Sequence, residues 1–150
     1  MSDHRATVEW KRQGDFAYAT YSRMHEVRFD SGVELPGRAS PSNIPKTAPS
    51  SPGVDPEEAF VAAVSQCHML WFLHLALEAK LVVERYVDEA VGVLDRTWMS
   101  KVTLRPRVTF SGRAPSAEEH RALHHKAHEK CFIANSIKSE VTVEPSIDHR

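Results

Sequence analysis

Two cysteines are the residues in this chain best suited to chemistry, and their surroundings differ. Cys67 lies in the middle of an apolar run, whereas Cys131 ends a histidine-rich one. A thiol acts as nucleophile or metal ligand through its thiolate, which a nearby cation favours and apolar burial opposes. Taken alone, Cys67 reads as a small buried hydrophobe. Three features weigh toward chemistry: Glu57 ten residues earlier, His68 beside the thiol, and Cys131 after a stretch carrying His124, His125 and His128. Five of the nine histidines fall within a few residues of a cysteine or on the helix leading to one. A redox pair is one reading of this pattern. A metal site is another, because His120, His124 and His128 are spaced i, i+4, i+8 and Cys131 follows three residues later, a set that zinc would accept. Against it, the same face reads as a solvated one, and the adjacent His124 and His125 cannot both point inward.

The element that must position Cys67 spans residues 55–81. Asp55 suits an N-cap, Pro56 the first helical position, and Glu58 completes a capping box. From Ala59 to Leu77 the only polar side chains are Ser65, Gln66, His68 and His74, so the expectation is a helix buried on every face. Its length would suffice to cross a bilayer. The run is single, interrupted by polar groups and set in charged, amphipathic sequence, so no membrane partner is expected. Glu57 precedes Cys67 by about 15 Å of helix, which leaves it at one rim of any pocket around the thiol.

Composition narrows the function classes. The chain of 150 residues fits one domain, 1–150, with a sizeable core. Its net charge of -1 offers no basic excess for gripping phosphates, so nucleic acid is not an expected partner. No basic segment followed by an apolar one opens the sequence, so a secretory signal is not expected and a cytoplasmic location is. With two cysteines and no export signal, a structural disulfide framework is not the reading.

The remaining elements follow from alternation and breakers. Residues 6–10, parts of 16–21 and 25–29 predict an antiparallel N-terminal sheet of about three strands. Five prolines between Pro36 and Val54 predict a long surface loop, a common place for binding or active-site residues. Residues 82–95 and 99–112 read as two long strands, with Pro106 marking an edge or a bulge. Ser116 and Glu119 form a second capping box opening a polar helix over 116–131, striped by Leu123 and Ala127. Residues 140–145 predict a last strand, added to the second sheet. Phe60, Trp71 and Phe72 read as core, with Phe60 or Trp71 as the alternative wall of an apolar pocket.

The segments DPEEAFVAAVSQC (55–67) and AHEKCFIANSIKSEVTVEP (127–145) resemble those of the OsmC/Ohr family, the osmotically inducible and organic hydroperoxide resistance proteins. The resemblance extends over the chain in element order. It implies an α+β, OsmC-like fold with two antiparallel sheets around a long buried central helix, assembled as an intertwined homodimer. It further implies a thiol peroxidase in which Cys67 attacks organic hydroperoxides and Cys131 resolves the oxidised sulfur as a disulfide. Glu57 matches the family glutamate that orders an arginine beside the thiolate; Arg12, Arg23 and Arg38 are the candidates for that arginine, and Arg12, Arg23 and His68 for contact with substrate. No cofactor is implied beyond an external dithiol reductant such as a lipoyl group. His68 and Phe132 depart from the better-known branches, which carry an apolar residue and sometimes proline there. A zinc protein, or a non-catalytic ligand-binding member of the fold, are the alternatives.

Overall fold

The computed structural model describes residues 1–148. The chain divides into two compact units, Met1–Ala59 and Phe60–Arg150.

The first unit contains an antiparallel sheet in the order β1(Ala6–Glu9), β2(His25–Phe29), β3(Glu34–Gly37). The strand count matches expectation but the membership does not. Residues 16–21 form no strand: Thr20 and Tyr21 N–H both donate to the Ala17 carbonyl, and Phe16 and Tyr21 close on Trp10. The third strand instead contains Pro36, tolerated because β3 is an edge strand. The proline-rich loop after it is tied down at both ends. Pro36 O accepts from Val54 N, Arg38 N donates to Val54 O, and Thr47 Oγ1 donates to Ala19 O.

Helix α1(Pro56–Glu78) starts as the sequence predicts. Asp55 Oδ1 accepts from Glu58 N at 2.8 Å and Glu58 Oε2 accepts from Asp55 N at 3.2 Å, which is the reciprocal capping box. It ends in a Schellman motif: Lys80 adopts φ 58°, Leu81 N donates to Ala76 O and Lys80 N to Leu77 O. That reversal drives Leu81 into the core and aims the chain into the next strand.

A single chain buries one face of α1. Within one chain it buries a stripe of Val64, His68, Phe72, Leu75 and Ala76, while Leu70 and Leu77 stay 61% and 73% exposed. The stripe follows the i, i+4, i+8 spacing of a single helical face.

The second unit also revises the strands. Residues 82–95 form two of them, β4(Val82–Asp88) and β5(Val91–Asp95), and residues 99–112 form β6(Trp98–Leu104) and β7(Pro106–Ser111). Each break is a corner where the chain leaves one sheet for another. Asp88 holds both corners together, its carboxylate accepting from Arg105 N at 2.6 Å and from Ser65 Oγ on α1. Helix α2(Ala117–Lys130) opens with Ser116 Oγ accepting from Glu119 N at 3.1 Å, as predicted. The strands β8(Glu140–Val143) and β9(Ser146–Ile147) follow.

The sheets run β4-β7-β9 and β5-β6-β8, and they are mixed rather than purely antiparallel. Strand β8 joins β6 in parallel and β9 joins β7 in parallel. The fold class is α+β, as expected. One core cluster packs Phe72, Leu75 and Ala76 of α1 on Leu123 and Ala127 of α2 and on Val108 of β7. The other packs Val64 on Val102 and Leu104 of β6, with Ile133, Ile137 and Val143 partly buried against it. Between them these clusters fix α1 on α2, the arrangement that brings residue 67 toward residue 131.

Candidate active site

Both cysteines are free, and they meet. Cys67 lies near the middle of α1, and Cys131 is the C-cap of α2, its N–H donating to His128 O at 3.2 Å. The thiol of Cys131 interacts with that of Cys67, and Ala134 N–H donates to the Cys131 sulfur at 3.4 Å from the turn that follows. Burial first, then the interaction with Cys67, push the Cys131 thiol up to about 11. Cys131 therefore keeps its proton at neutral pH.

Cys67 lines a cavity of about 500 Å³ together with Ala63, Leu70, Trp71, Phe132 and Ile133. Gln66 and His74 supply the polar part of the wall. Trp71 lies against the core cluster of Phe72 and also lines this cavity, which realises the alternative reading of that residue, whereas Phe60 packs beside Val64. A half-buried thiol at an apolar wall with a protonated thiol behind it is suited to attack on a hydrophobic electrophile, followed by capture of the oxidised sulfur.

His68 is adjacent in sequence but is absent from the cavity lining. It is 1% exposed and turns to α2, where its Nε2 lies 2.9 Å from His124 Nδ1; His124 Nε2 in turn lies 3.2 Å from His120 Nε2. A neutral imidazole has one N–H and one lone pair, so the two bonds run in one direction along the trio. Burial is the main cause that lowers all three: His68 to about 4, His124 to about 2, and His120 also below its ordinary value. His124 faces inward while His125 is exposed beside Glu129, as their adjacency requires. The solvated-face reading of this helix side is thus corrected for His120 and His124. Their positions on the stripe of Leu123 and Ala127 were the available signal. Among the described residues, no group of three or more His, Cys, Asp and Glu side chains could hold a metal ion.

Glu57 and the candidate arginines belong to the first unit. Glu57 Oε1 accepts from Asn43 Nδ2 at 3.3 Å, while its Oε2 is buried without a partner. Arg38 reaches Glu58 Oε1 at 3.5 Å, with its Nε buried and unpartnered. Arg23 donates to the Tyr18 and Tyr21 carbonyls and stacks 3.8 Å from the centroid of the Tyr21 ring. Arg12 is exposed and makes no hydrogen bond or ion pair among the described residues.

Residues 48–146 match the family model described as OsmC-like protein. The chain belongs to the OsmC-like family. An OsmC-like protein of unknown function from Vibrio cholerae has a solved structure similar to it throughout, with 46% identity, a TM-score of 0.90 and coverage of 97% of this chain and 100% of that one. The OsmC-like fold also recurs at lower identity. An organic hydroperoxide resistance protein of Legionella pneumophila matches at 23% identity and TM-score 0.63, covering 99% of this chain and 98% of that one. One from Elizabethkingia anophelis matches at 18% identity and TM-score 0.69, covering 100% and 98%. No curated protein matches the sequence. Helix α1 is long and apolar enough to cross a membrane by length and composition, but in this OsmC-like chain it is a core helix, packed through Val64, Phe72, Leu75 and Ala76.

The state of Cys131 has a direct consequence for reactivity. With the thiol at about 11, only about one molecule in a thousand carries the Cys131 thiolate at pH 8, against roughly a tenth or more for an ordinary thiol. Iodoacetamide should therefore label Cys131 about a hundredfold more slowly than an unhindered thiol. A labelling time course with peptide mass mapping checks this, and equal rates would contradict the buried, protonated state.

Proposed function

We propose that this OsmC-like protein is a thiol-dependent peroxidase for organic hydroperoxides, with Cys67 as the attacking and Cys131 as the resolving cysteine. The observation that carries the reading is the interacting pair of free thiols, one of which, Cys67, lies at the wall of an apolar cavity of about 500 Å³. In the first step the Cys67 thiolate attacks the terminal peroxide oxygen. An S–O bond forms, the O–O bond breaks, and the alkoxide leaves as the alcohol after taking one proton. In the second step Cys131 attacks the sulfenic sulfur. The S–S bond forms, the S–O bond breaks, and the hydroxyl leaves as water with the thiol proton. An external dithiol of the lipoyl type then exchanges twice with the disulfide, returning both thiols and becoming oxidised itself.

The Cys67 thiolate needs a cation, and in this reading it comes from Arg12, Arg23 or Arg38, ordered by Glu57. His68, buried against His124, is a support of the α1–α2 packing in this account rather than a substrate contact. The exposed Leu70 and Leu77 favour assembly as a homodimer in which a second chain covers α1. The location fitting this chemistry is the cytoplasm, where dithiol reductants keep thiols reduced.

The test is steady-state consumption of cumene hydroperoxide with dihydrolipoamide as electron donor. Turnover with the dithiol, and far less with a monothiol, is expected. No turnover with any dithiol would favour the non-catalytic, ligand-binding alternative for this cavity.

A further inference from the structure

Trp71 follows Cys67 by four residues on α1, so the two share a helical face and both line the cavity. The indole is held by the residues on either side of Cys131. Lys130 Nζ lies 5.2 Å from the Trp71 ring centroid, and the Phe132 ring meets it edge-on at 5.5 Å between centroids. His74 adds a second edge-on contact at 5.8 Å from within α1. A cation over an indole face and an edge-to-face aromatic pair are both directional contacts that a small shift breaks. The cavity wall is thus clamped by the short segment that carries the second thiol.

That segment cannot stay still if the thiols join. The two cysteines are free, so their sulfurs lie beyond the S–S bond distance of about 2.05 Å and one or both must move to form the bond. Cys131 is 1% exposed and its sulfur is bound by Ala134 N–H, so a shift of that sulfur is passed to the turn from Lys130 to Ala134. Both clamping side chains ride on that turn.

We propose that Trp71 is the specificity wall of the thiol cavity, and that closing a Cys67–Cys131 disulfide loosens the Lys130 and Phe132 clamp on it. The cavity then has one shape when it receives the peroxide and another when it receives the dithiol. This inference rests on the peroxidase reading for its purpose, but the clamp itself is testable without it. In the reduced state the clamped indole presents a fixed aromatic wall to an organic peroxide. In the oxidised state the freed indole opens the path to the disulfide, which a dithiol must reach in line with the S–S bond.

The experiment uses the full chain with Trp10→Phe and Trp98→Phe, leaving Trp71 as the sole indole, and reads its quenching by acrylamide before and after one equivalent of cumene hydroperoxide. Peptide mass mapping on the same samples reports the disulfide. The quenching constant is expected to rise about two- to threefold on oxidation, as loss of the two ring contacts exposes the indole. Should the double variant fold poorly, 5-fluorotryptophan in the parent chain gives the same information as a displaced fluorine resonance for one of three indoles. A disulfide formed with the Trp71 signal unchanged overturns the clamp. If peroxide makes no disulfide, the peroxidase reading fails, and diamide, which oxidises thiol pairs directly, is used to form the bond and read Trp71. Both thiols left free by diamide would overturn the clamp as well.

Discussion

Replacing Cys67 with serine is expected to lower peroxide reduction by about a thousandfold or more, equivalent to about 4 kcal/mol of barrier. The serine hydroxyl is weakly acidic and, unlike a thiolate, is a poor nucleophile toward peroxide oxygen. Nothing else in the cavity lining can replace it: Gln66 and His74 are its other polar members, and neither carries a thiol. Cys131→Ser should separate the two steps. The first turnover persists, and the product is a sulfenic acid at Cys67, read as a dimedone adduct in peptide mass mapping. A Cys67→Ser protein that consumes peroxide as fast as the parent would show that another group is the nucleophile.

The second large effect concerns acid stability. His68 is held down to about 4 and His124 to about 2, with His120 lowered as well, against about 6.5 for histidine in an unfolded chain. Above about pH 6.5 all three are neutral in both states, and their hydrogen-bonded packing contributes in full. As pH falls below that value the unfolded chain takes up protons that the folded chain refuses. Stability then falls by about 1.4 kcal/mol per pH unit for each histidine. For His68 alone the loss between pH 6.5 and its folded value of about 4 is about 3 kcal/mol. His124 adds a similar loss over the same window and continues below it. Against a total stability of about 5–15 kcal/mol, this predicts unfolding in mild acid. Urea titrations at pH 7 and pH 5 measure it, in a range where most carboxylates remain ionised. His124→Leu should be less stable at pH 7, because His68 and His120 lose their partner. Its stability should nevertheless depend less steeply on pH, by about one proton. Equal stability of the parent at both pH values would contradict the neutral trio.

What was legible in the sequence follows the range of the interactions that decide each feature. Asp55 with Glu58 and Ser116 with Glu119 are local: the first pair forms the full capping box, and the second forms its N-cap half, with the Glu119 carboxylate turned to Arg113. The corners at Asp88 and Arg105 are not local: the bond that sets them joins residues 17 apart in sequence, and the alternation of Val102, Leu104, Val108 and Phe110 runs through the second break unchanged. Pro106 was the only nearby sign. Residues 16–21 imitate a strand by their alternating aromatics, but those rings are spent on one another and on Trp10. Pro36 argued for a loop because edge position is a property of the sheet and not of the residue.

The candidate site divides in the same way. That α1 is apolar on every face was visible, whereas the stripe it buries within one chain depends on where α2 and the sheets lie. The approach of Cys67 to Cys131 rests on α1–α2 packing through Phe72 and Leu123, which spacing alone could not give. His68 shows the limit from the other side. Its place next to Cys67 suggested a role at the thiol, yet successive helical side chains point about 100° apart, and His68 goes to His124.

The measurement that bears most directly on the central claim is a titration of the reduced protein with cumene hydroperoxide, followed by non-reducing peptide mass mapping. The account predicts one intrachain Cys67–Cys131 disulfide per equivalent of peroxide consumed, reversed by dihydrolipoamide. Both thiols recovered unmodified after the peroxide is spent would contradict it.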